Sequence, residues 1–219
     1  MPRLLFEKKG NAVWISHLDL MRLFQRAFQR AGLNLTHTQG YNPRPSVSIA
    51  LPLSVGVESA CELLDFELDG QVVDNKEIQA RLNNSLVEGI KVLRVYDNAQ
   101  KIRELAYLDC AVTLEYDTGI EPCVADEIRE LFARESLTVT KKGKNGPTEQ
   151  DIIPMIRSIC VTFENENSIR LDARVCCQNP SLNPALLVQA IEKYLPHRKP
   201  DHSCCARKEI YSLKENIFR

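Results

Sequence analysis

The order of segments along this chain predicts an α+β protein built from two tandem ferredoxin-like (βαββαβ) sandwiches, residues 1–99 and 105–219. Three observations carry that prediction. Strand-like apolar runs and amphipathic helical stretches follow the order βαββαβ in the first half. A similar order recurs in the second half, without residue-level repetition. Between them lies DNAQKIRE (97–104), a polar stretch of linker composition. With 219 residues, 44% hydrophobic and 26% charged, the chain can bury two cores and is too apolar for extended disorder.

RLLFEKK (3–9) reads as the first strand, followed by a turn at Gly10 and Asn11 and a short apolar bridge, AVWI. SHLDLMRLFQRAFQRAGL (16–33) is the first helix. Ser16 suits the N-cap, with Asp19 three residues on as a capping-box-like partner, and Ile15 and Leu20 stand where a hydrophobic staple belongs. Leu20, Leu23, Phe24, Ala27, Phe28 and Ala31 share one helical face to be buried on a sheet, and Gly32 ends the helix. VSIAL (47–51) and CELLDFEL (61–68) read as strands, NKEIQARLNNSL (75–86) as a helix and IKVLRVY (90–96) as a strand.

After the linker, LDCAVTLEY (108–116) is strand-like, PCVADEIRELFARE (122–135) helical and LTVTKK (137–142) an extra or extended strand. TKKGKNGPTEQD (140–151) reads as a basic, flexible hairpin loop leading to Asp151, or as a second phosphate contact. MIRSICVTFEN and SIRLDARVCCQ form a hairpin around Glu166 and Asn167; NPALLVQAIEKYL (183–195) is a helix, and KEIYSL (208–213) closes the second unit.

No apolar run reaches the roughly 20 residues of a membrane-spanning helix, and MPRLLFEKKGN lacks the apolar block of a secretory signal, so a cytoplasmic protein without membrane contact is expected. Eight cysteines then read as reduced thiols. The net charge of -1 hides an uneven distribution. Residues 1–57 hold seven Lys and Arg against Glu7 and Asp19, a local +5, whereas residues 58–99 hold nine acidic and four basic residues, a local -5. Such asymmetry suits either a basic surface for an anionic partner or two stretches that pair with each other.

Arg22, Arg26 and Arg30 recur every four residues opposite the apolar face of the first helix, beside Gln25 and Gln29. The ridge reads either as a solvated helix face or as a phosphate-binding surface, because a planar guanidinium matches phosphate oxygens in a fork. GYNPRPS (40–46) follows. Pro43 and Pro45 stiffen the chain around Arg44, which can meet a phosphate while Tyr41 stacks on a base; the same prolines also suit a purely structural loop. His17 and His37 are acid-base candidates for metal-independent RNA cleavage, His17 at the first helical position where the dipole favours neutral imidazole. His197, His202, Cys204 and Cys205 form a candidate metal set if Cys204 and Cys205 lie in a loop; adjacent cysteines in a strand face opposite ways. The Cys-x3-Cys-x2-Cys pattern of a radical SAM cluster and the P-loop pattern are both absent.

Through SHLDLMR, QRAG, GYNPRPS and LPLSVGVES, the chain resembles the radical SAM-associated domain family, whose members are fused to, or encoded beside, cobalamin-dependent-type radical SAM proteins. Ser16, His17, Asp19, Arg22, Arg26, Gly40, Asn42, Pro43, Pro45, Pro52, Gly56, Ser59, Glu62 and Asp65 fit its pattern. Lys141, Lys142, Gly143, Asp151 and Arg207 fit more loosely. The resemblance implies an accessory or substrate-presenting role for a separate radical SAM protein. The expectation is a non-catalytic module without a cofactor of its own, holding RNA or another anionic substrate through Arg22, Arg26, Arg30, Tyr41 and Arg44. The alternatives are the ribonuclease using His17 or His37 and a protein-only scaffold whose arginines dock acidic residues of a partner.

Overall fold

The computed structural model of the chain describes residues 1–70, 72–97, 99–143 and 146–219. It is a mixed α+β protein that divides into two compact units, residues 1–104 with 218–219, and residues 105–217. No helix among the described residues is long and apolar enough to cross a membrane.

The first unit contains β1 (Arg3–Lys8), α1 (His17–Arg30), β2 (Val47–Ile49), β3 (Val57–Phe66), α2 (Asn75–Asn83) and β4 (Ile90–Tyr96). Its strands pair antiparallel in the order β4-β1-β3-β2, with Leu4 opposite both Leu64 and Val95. Helix α1 starts where the capping signal places it: the Ser16 hydroxyl accepts a hydrogen bond from the Asp19 amide at 3.2 Å and donates to the Asp19 carboxylate at 2.7 Å. Leu20, Phe24, Ala27 and Phe28 go into the core. There the Phe24 ring meets Phe6 edge-on at 4.8 Å, and Phe28 lies 5.0 Å from Phe66.

Two buried cations anchor this unit. Arg3 forms a forked pair with Asp65, its partner across β3, at 2.5 and 3.0 Å. Lys8 donates from Nζ to the carbonyls of Val13 and Ile15 at 3.1 and 2.8 Å, tying the 3-10 turn at Gly10–Trp14 to the end of β1. Burial pushes the Lys8 pKa down, with the Glu62 carboxylate opposing. Gly89 leads into β4 at φ +84°, and a Cβ there would lie 2.4 Å from the Lys9 carbonyl oxygen and 2.8 Å from the Ala12 Cβ. Only glycine fits so close an approach.

The second unit contains β5 (Leu105–Glu115), α3 (Cys123–Phe132), β6 (Thr138–Gly143), β7 (Gly146–Asp151), β8 (Ile156–Asn165), β9 (Ser168–Cys176), α4 (Ala185–Tyr194) and β10 (His202–Ser212). Strands β10, β5, β9 and β8 pair antiparallel in that order. Ile169, Leu171, Ala173 and Val175 alternate along β9 as its buried face. Asp109 and Arg174, opposite each other on β5 and β9, form a forked pair at 2.7 and 3.0 Å, and the guanidinium sits 3.9 Å over the Tyr211 ring.

Two segments differ from the expectation. The stretch 140–151, expected as a flexible hairpin loop, is strand-paired along its length as the larger part of a β6–β7 hairpin, of which residues 144 and 145 lie outside the described residues. Strand pairing compensates its Gly and Pro content, and α4 holds it: Gln189 donates to the Thr140 carbonyl at 3.1 Å, and Lys193 and Tyr194 donate to the Thr138 carbonyl, each at 3.0 Å. Asp151 accepts from the Leu137 and Ile153 amides at 2.9 and 3.1 Å, a structural clasp that lowers its pKa, the Leu137 bond first. The closing strand starts at His202 rather than at residue 208.

Candidate functional site

The polar face of α1 opens onto a groove of about 540 Å³ within the first unit. Gln25, Arg26 and Gln29 form its helical wall. Leu33 and Leu35, both largely buried, lie at its base with Asn34, and His37, Pro45 and Asp69 complete the lining. The wall follows from helical spacing, since residues 25, 26 and 29 sit on adjoining turns of one face. The remainder comes from a chain reversal. Gly32, at φ +68°, ends α1, and residues 34–37 then run beside two other segments. Leu35 bridges Leu68, and Asp69 donates its amide to the Asn34 carbonyl at 2.8 Å. His37 bridges Pro45, and Ser46 donates to the Thr36 carbonyl at 2.8 Å.

Residues 38–44 project from this base as a small hairpin. The Thr38 amide donates to the Arg44 carbonyl at 2.8 Å, and the Arg44 amide donates to the Thr38 hydroxyl at 3.0 Å. At its tip Tyr41 is 100% exposed. Arg44 is also exposed and directly precedes the groove-lining Pro45.

The four arginines are not equivalent. Arg22 is paired with Asp19 on its own helix at 3.0 Å, both side chains exposed. The Ser16 hydroxyl, and after it Arg22, hold the Asp19 carboxyl below its ordinary pKa. Arg30 donates to the Ser85 carbonyl at 2.6 Å, outside the groove lining. Arg26 and Arg44 have no carboxylate partner among the described residues. The acidic stretch 58–99 therefore neutralises none of the four by direct ion pairing; it contributes Asp69 to the groove and the Ser85 carbonyl to Arg30.

The histidines part company. His37 lines the groove, whereas His17 starts α1, about 13 Å along the helix axis from Arg26. The metal set does not assemble: no three His, Cys, Asp or Glu side chains among the described residues are placed to hold an ion. Cys204 and Cys205 are consecutive in β10, not in a loop, so they face opposite sides. Burial pushes the Cys205 thiol up to about 11. His197 instead meets the Glu127 carboxylate at 3.3 Å, which Arg198 also holds at 2.7 Å.

The sequence reading missed Leu33, Asn34, Leu35 and Asp69 as parts of the groove. No local signal marks them, because their grouping depends on the bridge between Leu35 and Leu68.

Fold and groove together define a two-unit α+β protein with an open, arginine-bearing cleft beside an exposed aromatic hairpin. The chain belongs to the family described as "Uncharacterized protein conserved in bacteria (DUF2344)", which matches residues 2–184. No curated protein matches it. Among solved structures it is similar to a chain of a Cbf5-Nop10-Gar1 complex, at 8% identity and a TM-score of 0.54. That match covers 95% of this chain and 48% of the other, so this chain spans about half the length of the structure it resembles, and the likeness is one of fold. A second match, to an unknown protein from Galdieria sulphuraria, has 11% identity and a TM-score of 0.26, covering 94% of this chain and 96% of that one.

Proposed function

We propose that this chain is a non-catalytic module that holds RNA by an unpaired segment and presents it to a separate radical SAM enzyme in the cytoplasm. The observation that carries the RNA reading is a pair of guanidinium groups without an ion-pair partner among the described residues, Arg26 in the groove and Arg44 next to the groove-lining Pro45, on a hairpin whose Tyr41 is fully exposed. Phosphates would meet the arginines and an unstacked base would meet Tyr41, the combination by which single-stranded nucleic acid is held. Arg30 would add long-range attraction. The radical SAM partner rests on the sequence resemblance.

The same proposal extends to the architecture. The order β4-β1-β3-β2, with helices after the first and third strands, is that of a ferredoxin-like sandwich. The second unit supports the same reading with the β6–β7 hairpin inserted after α3.

One observation favours the scaffold reading as a companion. Trp14 is 71% exposed, and its ring lies 3.4 Å from where a Gly56 Cβ would stand, beside the exposed Val55. Tryptophan is enriched among the residues that anchor protein interfaces, and an exposed one here would suit contact with the enzyme subunit. The separation of His17 from the groove speaks against a ribonuclease built on His17, while His37 lines the groove, so cleavage through His37 is an outcome the RNA assay must read.

Fluorescence anisotropy with a labelled stem-loop RNA tests the proposal. Binding should weaken with salt and fall in the R26A/R44A variant, with the RNA left intact. Absence of binding, or cleavage of the RNA without metal, refutes it.

A further inference from the structure

Asp69 is out of place in a groove that would hold only phosphate. Its carboxylate is exposed, lines the same cleft as Arg26, and makes no ion pair among the described residues. A bare carboxylate repels a phosphate and seeks hydrogen-bond donors. Inside an RNA strand the ribose offers one donor, its 2′-hydroxyl, because the 3′ oxygen is esterified. Among the four bases only guanine places two donors side by side, N1–H and the 2-amino group, matching the two oxygens of a carboxylate. Gln25 and Gln29 bring amide donors for the guanine O6, Leu33 and Leu35 provide an apolar base for the ring, and about 540 Å³ suits one nucleotide.

Building on the RNA reading above, we infer that the groove is a guanine-selective pocket in which Asp69 reads the N1–H and 2-amino edge of one unpaired nucleotide while Arg26 meets its phosphate. The test titrates the full chain with the labelled short RNAs UUGUU, UUAUU and UUIUU, where I is inosine, which lacks the 2-amino group. UUGUU should bind about tenfold more tightly than UUAUU, the discrimination of one good bidentate contact, with UUIUU between them. D69N should abolish the difference between UUGUU and UUAUU, whatever the common rise in affinity from removing a negative charge, and a preference for UUGUU that persists in D69N overturns the assignment. The Asp69 side chain is exposed and its backbone bond to Asn34 survives that substitution, so folding is preserved. Equal binding of UUGUU and UUAUU that still falls in R26A overturns the guanine assignment alone. Absence of salt-sensitive binding to every RNA overturns both the assignment and the reading beneath it.

Discussion

Replacing Arg26 and Arg44 by alanine should reduce the salt dependence of RNA binding by an amount that the structure specifies. Each phosphate neutralised on a single strand contributes about 0.7 to the slope of log Kobs against log salt. Neither guanidinium group has an ion-pair partner among the described residues, so each is counted as releasing one counterion, and R26A/R44A should lower the slope by about 1.4. Over a tenfold range of salt that is about a 25-fold difference in how far affinity falls. Arg22 provides the internal control. Its charge is already matched by Asp19 at 3.0 Å, so R22Q/D19N removes the pair with no change in net charge and should leave the slope near that of the unaltered chain. Anisotropy titrations at several salt concentrations measure the slopes, and thermal unfolding of each variant checks that the fold is intact. An R26A/R44A slope equal to that of the unaltered chain would refute the reasoning, as would a larger loss from R22Q/D19N.

Three further predictions concern stability. Phe28, fully buried against Phe66, should cost about 3–5 kcal/mol when changed to alanine, read by urea denaturation; a loss under about 1 kcal/mol would mean that α1 packs differently. Gly89→Ala should destabilise by about 2 kcal/mol or more, because the added Cβ meets the Lys9 carbonyl and the φ of +84° disfavours it. A neutral result in the same assay would contradict the close approach of Gly89 to Lys9. Hydrogen bonding from Arg198 holds the Glu127 carboxyl below its ordinary value, burial opposing and His197 assisting. A folded-state pKa below the unfolded one gives stabilisation that is complete above the usual glutamate value of about 4.3 and is lost as pH falls through the lowered value. E127Q should therefore flatten the acid limb of the stability curve in that window, measured as melting temperature against pH; an unchanged limb would refute it.

The legible parts of the fold are those whose signal lies within a few residues. Helix α1 declares its start through Ser16 and Asp19, its buried face through Leu20, Phe24 and Phe28, and its end through Gly32. The boundaries of β4 follow directly from IKVLRVY. Strand β7 escaped because its Gly and Pro content suggests a loop, whereas it is made by pairing with β6, the strand that bonds from α4 hold. The first residues of β10 escaped for the same reason: His202, Cys204 and Cys205 have no strand pattern of their own and are extended because they pair with Glu115, Thr113 and Val112 of β5.

The candidate site divides along the same line. Four-residue spacing on a helix is a local property, so the ridge of Arg22, Arg26 and Arg30 and the proline-stiffened approach to Arg44 were determined by the amino-acid order alone. Which charges are ion-paired was settled only by the folded chain, which leaves Arg22 beside Asp19, points Arg30 at the Ser85 carbonyl and gives Arg26 no ion-pair partner among the described residues. The folded chain also brings Asp69 and His37 to Arg26, through backbone contacts of residues 34–37 with residues 67–69 on one side and 45–46 on the other. Helical periodicity repeats every few residues and can be read along the chain; the convergence of distant segments depends on strand order and register, which set the distances between side chains far apart in sequence.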